Sequence, residues 1–222
     1  MQKKVYFGCI LSACLLLTVY AFLAAGCGQT IESTTTTTTS TTTTTLAVGS
    51  ARYCYVNGDP GSHTSAESRF VGTKSVGGLT TNGTVGLTDN WGICYYNFYR
   101  STMEVHLISG NGRYRQMVSD PGIINDFYVT FYNNFNNTIE GWSIDSTTAM
   151  AIAHADPFML TWEASVSGHT MSYSASIKMD LFRGGLSWYL NFVDLSSSPQ
   201  VLTIVSVDGN TGAIISIVQQ TL

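Results

Sequence analysis

Charged side chains are scarce in this chain, 11% of its residues, and so are proline, with four, and histidine, with four. Positive charge is the scarcer sign: ten Lys and Arg stand against fourteen Asp and Glu. That balance argues against nucleic acid and anionic surfaces as partners, because binding to phosphate needs clustered cations. The histidines, His63, His106, His154 and His169, show no HExxH or HxH spacing, which excludes a zinc peptidase of the usual kind. Missing too are a Gly-x-Ser-x-Gly elbow, a Walker loop and a dinucleotide fingerprint. "DGNTG", Asp208–Gly212, opens like a calcium loop but lacks the closing Glu, and a tight turn with Gly212 at positive φ explains it better. No catalytic residue, metal or cofactor is assigned, and an enzyme is not expected.

What is present begins with a leader. Lys3 and Lys4 precede an uncharged apolar run from Val5 to Ala25, and the small residues Ala24, Ala25 and Gly26 lead into Cys27. This junction resembles a bacterial lipobox, with Ala24 where the stricter pattern has a branched residue. The resemblance implies a signal peptide over 1–26, cleaved before Cys27, and a thioether-linked diacylglycerol on that cysteine. An uncleaved transmembrane helix is the alternative, since about twenty apolar residues can span a bilayer. Either way residues 28–222 are expected on the extracytoplasmic side, at the cell membrane or outer membrane. The following tract, "STTTTTTSTTTTT", has neither apolar nor charged side chains. It cannot offset its ordering entropy by burial, so residues 27–45 are expected to form a disordered tether.

With Cys9 and Cys14 in the leader and Cys27 lipidated, Cys54 and Cys94 remain as the only pair, and a disulfide between them is expected in an oxidising compartment. It would close a loop of about forty residues and stabilise the fold by about 3–4 kcal/mol. Loss of Lys3 and Lys4 with the leader leaves eight basic against fourteen acidic residues, a net charge near −6. Residues 46–222 suffice for one domain or two small ones.

Their pattern is mostly strand. In "MSYSASIKMDLF" Met171, Tyr173, Ala175, Ile177, Met179 and Leu181 alternate with polar residues. "LSWYLNFVD" and "VLTIVSVD" follow as strands, and "DGNTG" turns the chain into "AIISIV". "SIDSTTAMAIAHADP" predicts a helix capped by Asp145 or Ser146 and stopped at Pro157, with His154 placed near its C-terminus for the helix dipole. A helix followed by antiparallel strands is an α+β unit.

The Ala-bearing helix "IDSTTAMAIA", the strand "LSWYLNF" and the terminal "VDGNTGAII" resemble, from Trp142 to Val218, the PepSY domain. The resemblance implies an antiparallel sheet with one packed helix over 141–222, and an extracytoplasmic module of a kind proposed to bind or inhibit peptidases. "YYNFYRSTMEVHLISGNGRY", Tyr95–Tyr114, parallels the later strands when Asn97 is set against Asn191 and Gly110 against Gly209, with a five-residue gap. Residues 46–140 are then either a degenerate second copy or an unrelated β subdomain. "SHTSAESRFVG" is its one helical candidate, of one turn or two.

Aromatics between Trp91 and Tyr99 and between Phe127 and Phe135 outnumber the places on one strand face. They form either a core of two stacked layers, the favoured reading, or an exposed contact surface. Exposed tryptophans among Trp91, Trp142, Trp162 and Trp188 would point instead to carbohydrate. Two functions remain. One is a lipid-anchored module that binds or inhibits a peptidase or another envelope protein by offering a sheet face or edge. The other is a structural envelope lipoprotein.

Overall fold

The computed structural model describes residues 46–79 and 86–222. Cys27, the leader and the threonine tract lie outside these residues. None of the described helices is long and apolar enough to cross a membrane, which says nothing of strands. The elements run α1 (Ala51–Gly58), β1 (Ser68–Ser75), β2 (Asn90–Asn97), β3 (Thr102–Ser109), β4 (Tyr114–Met117), α2 (Pro121–Phe131), α3 (Ser146–Ala155), α4 (Pro157–Ser165), β5 (Met171–Asp180), β6 (Gly185–Asp194), β7 (Val201–Asp208) and β8 (Ile214–Thr221). All eight strands join one antiparallel sheet in the order β4-β3-β2-β1-β5-β6-β7-β8. The α+β class is as expected, but 46–140 and 141–222 share this one sheet.

Each half is a helical segment followed by a four-strand meander, and the tryptophans set the register between them. Trp91 on β2 donates its indole N–H to Gly49 O at 2.8 Å, and Trp188 on β6 donates to Ile144 O at 2.7 Å. Each acceptor precedes a helix N-cap, Ser50 or Asp145. Gly110 N and Gly209 N close matching turns onto Asp89 O and Leu186 O, each two residues before its tryptophan. With Trp91 set against Trp188, Cys94 matches Asn191, so the Asn97–Asn191 register is three residues out and the gap falls from five residues to two. Gly110 against Gly209 stands.

At the centre β1 and β5 pair with Thr73 opposite Ile177 and Lys74 opposite Ser176. Ser75 faces Trp91 as Ile177 faces Trp188, so the halves are related by an approximate twofold axis near Lys74 and Ser176. The two tryptophan rings meet edge-on near this axis, centroids 6.2 Å apart, and both are fully buried.

The helix N-termini meet there too. Asp145 Oδ1 accepts from Ser146 N at 2.7 Å in its own helix and from Arg52 N at 3.0 Å in α1. Ser146 Oγ accepts from Ala51 N and donates to Gly86 O. One carboxylate thus serves two sets of N–H groups that have no intrahelical acceptor.

Small residues let both helices lie close to the sheet. Ala51, Cys54 and Gly58 form the buried stripe of α1, and Ala149 and Ala153 stand at the places of Cys54 and Gly58 in α3. A Cβ on Gly58 would come within 2.6 Å of Ile108. Here the expected disulfide is corrected: Cys54 and Cys94 are both free and buried. Cys54 packs under α1 among the residues on the helical side of the sheet, and Cys94 faces the opposite side with Phe127 and Phe131. Strand β2 lies between them. Burial pushes the Cys54 thiol up to about 12 and the Cys94 thiol higher still. The cysteine pair therefore gives no argument for an oxidising compartment.

That opposite side is covered by α2 over the first half. Asp120 caps it with bonds from Gly122 N and Ile123 N, and Pro121 occupies its first turn. Gly72 and Gly92 leave the strands bare beneath it: added Cβ atoms would come within 2.2 Å of Phe131 and 2.1 Å of Phe127. Lys178 donates to Thr130 O at the C-terminal turn of α2, where a cation suits the dipole. The aromatic sequence Phe127–Phe135 is thus helical, and the core does form two layers, one on each side of the sheet. The segment offered as the helix of the first half instead holds the end of a short 3-10 turn, Pro60–His63, and the start of β1; the helix lies upstream.

Asp145→Ala should lower unfolding stability by about 1–3 kcal/mol in urea denaturation, because it leaves N–H groups of two helices unpaired. Asp145→Asn, which keeps Oδ1 as the acceptor for both N–H groups, should recover most of that loss; a loss below about 0.5 kcal/mol for the alanine variant would remove the shared-cap account. Cys54 and Cys94 should resist a thiol reagent in the native protein and react after denaturation without prior reduction, as read by peptide mass spectrometry.

Candidate functional site

The residues assigned by sequence divide three ways. Cys27 lies outside the described residues, and Cys54 and Cys94 are packing residues on separate sides of the sheet. Asp145 and Asp208 act as the cap and turn residues expected of them: Asp208 Oδ1 accepts from Asn210 N and Thr211 N, and these bonds hold its carboxyl below the ordinary range. Trp91, Trp142 and Trp188 are buried and Trp162 is half-buried, so none of the four is an exposed tryptophan of the kind that would point to carbohydrate.

What the sequence did not disclose is a cavity of about 230 Å³ in the second half, lined by His154, Trp162, Glu163, Val166, Ser167, Gly168, His169, Met171 and Tyr173. A second helix makes it. Pro157, read as a stop, ends α3 and also opens α4, with Asp156 Oδ1 accepting from Phe158 N as the new cap. The bend brings Glu163 on α4 to His154 on α3, where Nδ1 donates to Glu163 Oε1 at 2.5 Å. His154 is therefore held by a carboxylate, beyond the helix-dipole role assigned to it. Its Nε2 is buried and has no hydrogen-bond partner.

His169, in the turn entering β5, repeats the arrangement by donating Nδ1–H to Asp194 Oδ2 at 2.8 Å. Asp194 also accepts from the Ser197 hydroxyl and from Ser196 N. Those bonds, the Ser197 hydroxyl foremost, hold its carboxyl down to about 2 from its ordinary 3.8. Tyr173 on β5 is pushed up by burial and by the Glu163 charge. Two imidazoles, each oriented by a carboxylate, thus border one half-apolar cavity. Among the described residues no three His, Cys, Asp or Glu side chains converge as a metal site.

His106 has a different character. It is fully buried on β3, its Nδ1 3.2 Å from Tyr114 Oη, and burial lowers its pKa despite Glu104. His63 stacks on Tyr114, centroids 3.7 Å apart.

The sheet's two outer edges are unlike. Strand β4 is four residues long and carries Arg115, whereas β8 runs Ile214–Thr221 with neither charge nor proline. Short length and charge are the usual protections of an edge, and β8 has neither. The sheet side that α2 covers in the first half presents Tyr189, Asn191, Ile204 and Val218 in the second, with Val218 50% exposed. A third surface lies at the β2–β3 turn, where Tyr96 stacks on Phe135 at 4.3 Å beside the exposed Phe98, Tyr128 and Tyr132. The aromatics of these segments therefore serve both as core and as surface.

Comparison of the chain with family models, curated proteins and solved structures gives no match.

Asp194 supplies a pH dependence of defined sign. A carboxyl with a depressed folded pKa contributes stability that is complete above its unfolded value and is lost as pH falls through the folded one. Asp194→Asn should be less stable than the native chain at neutral pH, and the difference should shrink between about pH 4 and pH 2 in thermal unfolding scans. A difference independent of pH across that window would mean that packing, not the charge, is what the variant removes.

Proposed function

We propose that this chain is a lipid-anchored extracytoplasmic binding module, tethered at Cys27 by the threonine tract, that takes an extended segment of an envelope protein, a peptidase foremost, along strand β8. It acts by binding and not by catalysis. The observation that carries the reading is the β8 edge, eight residues of uncharged, proline-free strand at the longer of the sheet's two outer edges. An extended segment added there gains main-chain hydrogen bonds from a template already fixed by β7, and side-chain neighbours give it specificity. The uncovered sheet side beside it, with Ile204 and Val218, offers apolar contact to the incoming residues. The resemblance of Trp142–Val218 to PepSY domains supports a peptidase as the class of partner, and the lipobox-like junction supports the membrane attachment.

The test is affinity capture from an envelope fraction with the native chain and with Val218→Lys, which places a charge on the side of β8 where an added strand would pack. A saturable peptidase held by the native chain and weakened by about tenfold or more in the variant is the expected result. Recovery of wall or assembly proteins alone, equally by both forms, would favour a structural envelope lipoprotein instead.

A further inference from the structure

We propose that the cavity between α3, α4 and β5 is a binding site for an alkylammonium group, either a free amine or the lysine side chain of a polypeptide. An ionised carboxylate only accepts, so the bonds from His154 Nδ1 to Glu163 and from His169 Nδ1 to Asp194 place the ring proton on Nδ1 in each neutral imidazole. Each Nε2 is then left as an acceptor. His154 Nε2 is buried beneath the wall without a partner, and the ring that meets the cavity directly is that of His169, whose side chain is 39% exposed.

The charge around the cavity has one sign. Glu163 lines it, Asp194 stands behind His169, and no Lys or Arg contributes to its wall. The remaining lining suits an aliphatic stem: Trp162, Met171, Tyr173 and Val166 surround the space, and Trp162 and Tyr173 are fixed by edge-on contacts to Phe192 at 6.2 and 5.7 Å. A positively charged donor on an apolar stem meets all three conditions, with its charge favoured by the aromatic faces as well as the carboxylates. A divalent metal meets them less well, since no three ligand-type side chains converge among the described residues. An anion would face Glu163 and an acceptor lone pair. The site belongs to the second half alone, because α4 has no helical counterpart of its length after α1, where only the 3-10 turn Pro60–His63 stands. It is separate from the β8 edge and does not depend on what that edge binds.

Isothermal titration of the full chain with Nα-acetyl-lysine methylamide and with n-butylamine tests the proposal. The uncharged Nα-acetyl-norleucine methylamide, the acidic Nα-acetyl-glutamate methylamide and zinc chloride serve as contrasts. Both ammonium probes should bind one to one and the norleucine compound should not. His154→Phe and Glu163→Gln should each weaken the lysine probe by about tenfold or more, with circular dichroism confirming the fold of each. Should His154→Phe fail to fold, Glu163→Gln decides alone. Equal affinity for the two ammonium probes identifies a free amine as sufficient, and tighter binding of the lysine compound identifies a polypeptide side chain. The proposal is overturned if norleucine binds as well as lysine, if the glutamate compound or zinc is the only ligand, if no probe binds, or if folded variants keep the native affinity.

Discussion

Two helix N-termini meet above the middle of the sheet, and the N–H groups they leave open must be satisfied inside the protein. Asp145 and Ser146 do this for both helices at once, and the indole N–H groups of Trp91 and Trp188 hold the carbonyls just before the two caps. Removing any one of these partners would leave a polar group buried without a bond, which costs more than the bond itself contributes. The position of each helix along the sheet follows from that network. So does the depth at which it lies, because the small residues beneath α1 and α3 bring their backbones near the strands.

From this shared centre the halves diverge outward. The first half gains α2 over its second side, made possible by bare glycines in β1 and β2, and its outer strand is short. The second half gains α4 on the helical side, leaves its other side open and ends in a long edge strand. The cavity, the uncovered side and the unprotected edge therefore collect in 141–222, whereas the exposed aromatics at the β2–β3 turn belong to the first half. The first half is the better covered of the two, which suits it to supporting its neighbour.

Strands β5 to β8 were legible because one side of each meets core: strict alternation from Met171 to Leu181, and the Asp-Gly-Asn-Thr-Gly turn, have few competing explanations. The α3 cap at Asp145 was legible for the same reason, a short polar residue before a small-residue stripe. Helix α2 was not, because "FYVTFYNNF" carries β-branched and aromatic residues whose local preference is for strands and whose helical state is decided by packing on Gly72 and Gly92. Cysteine misled through chemistry: counting residues pairs Cys54 with Cys94, whereas the structure uses Cys54 where the other half uses Ala149. Pro157 was read as an end and not also as a beginning, so α4 was missed, and with it the cavity. His154, Glu163, His169 and Asp194 are spread over forty residues, and only the bend at Pro157 and the β5–β6 pairing bring them to one place.

The antiparallel pairing of β1 with β5 carries a consequence for how such a protein is put together. Because equivalent strands of the two halves meet across an approximate twofold axis, the contact is self-complementary: what one half offers, the other offers in return. A chain containing a single half would expose that strand and could complete the same sheet only by joining a second copy of itself. Tandem arrangement turns what would be a concentration-dependent homodimer into an intramolecular interface. It thereby frees the two halves to diverge, one toward a covered sheet and the other toward an open side and a long edge strand.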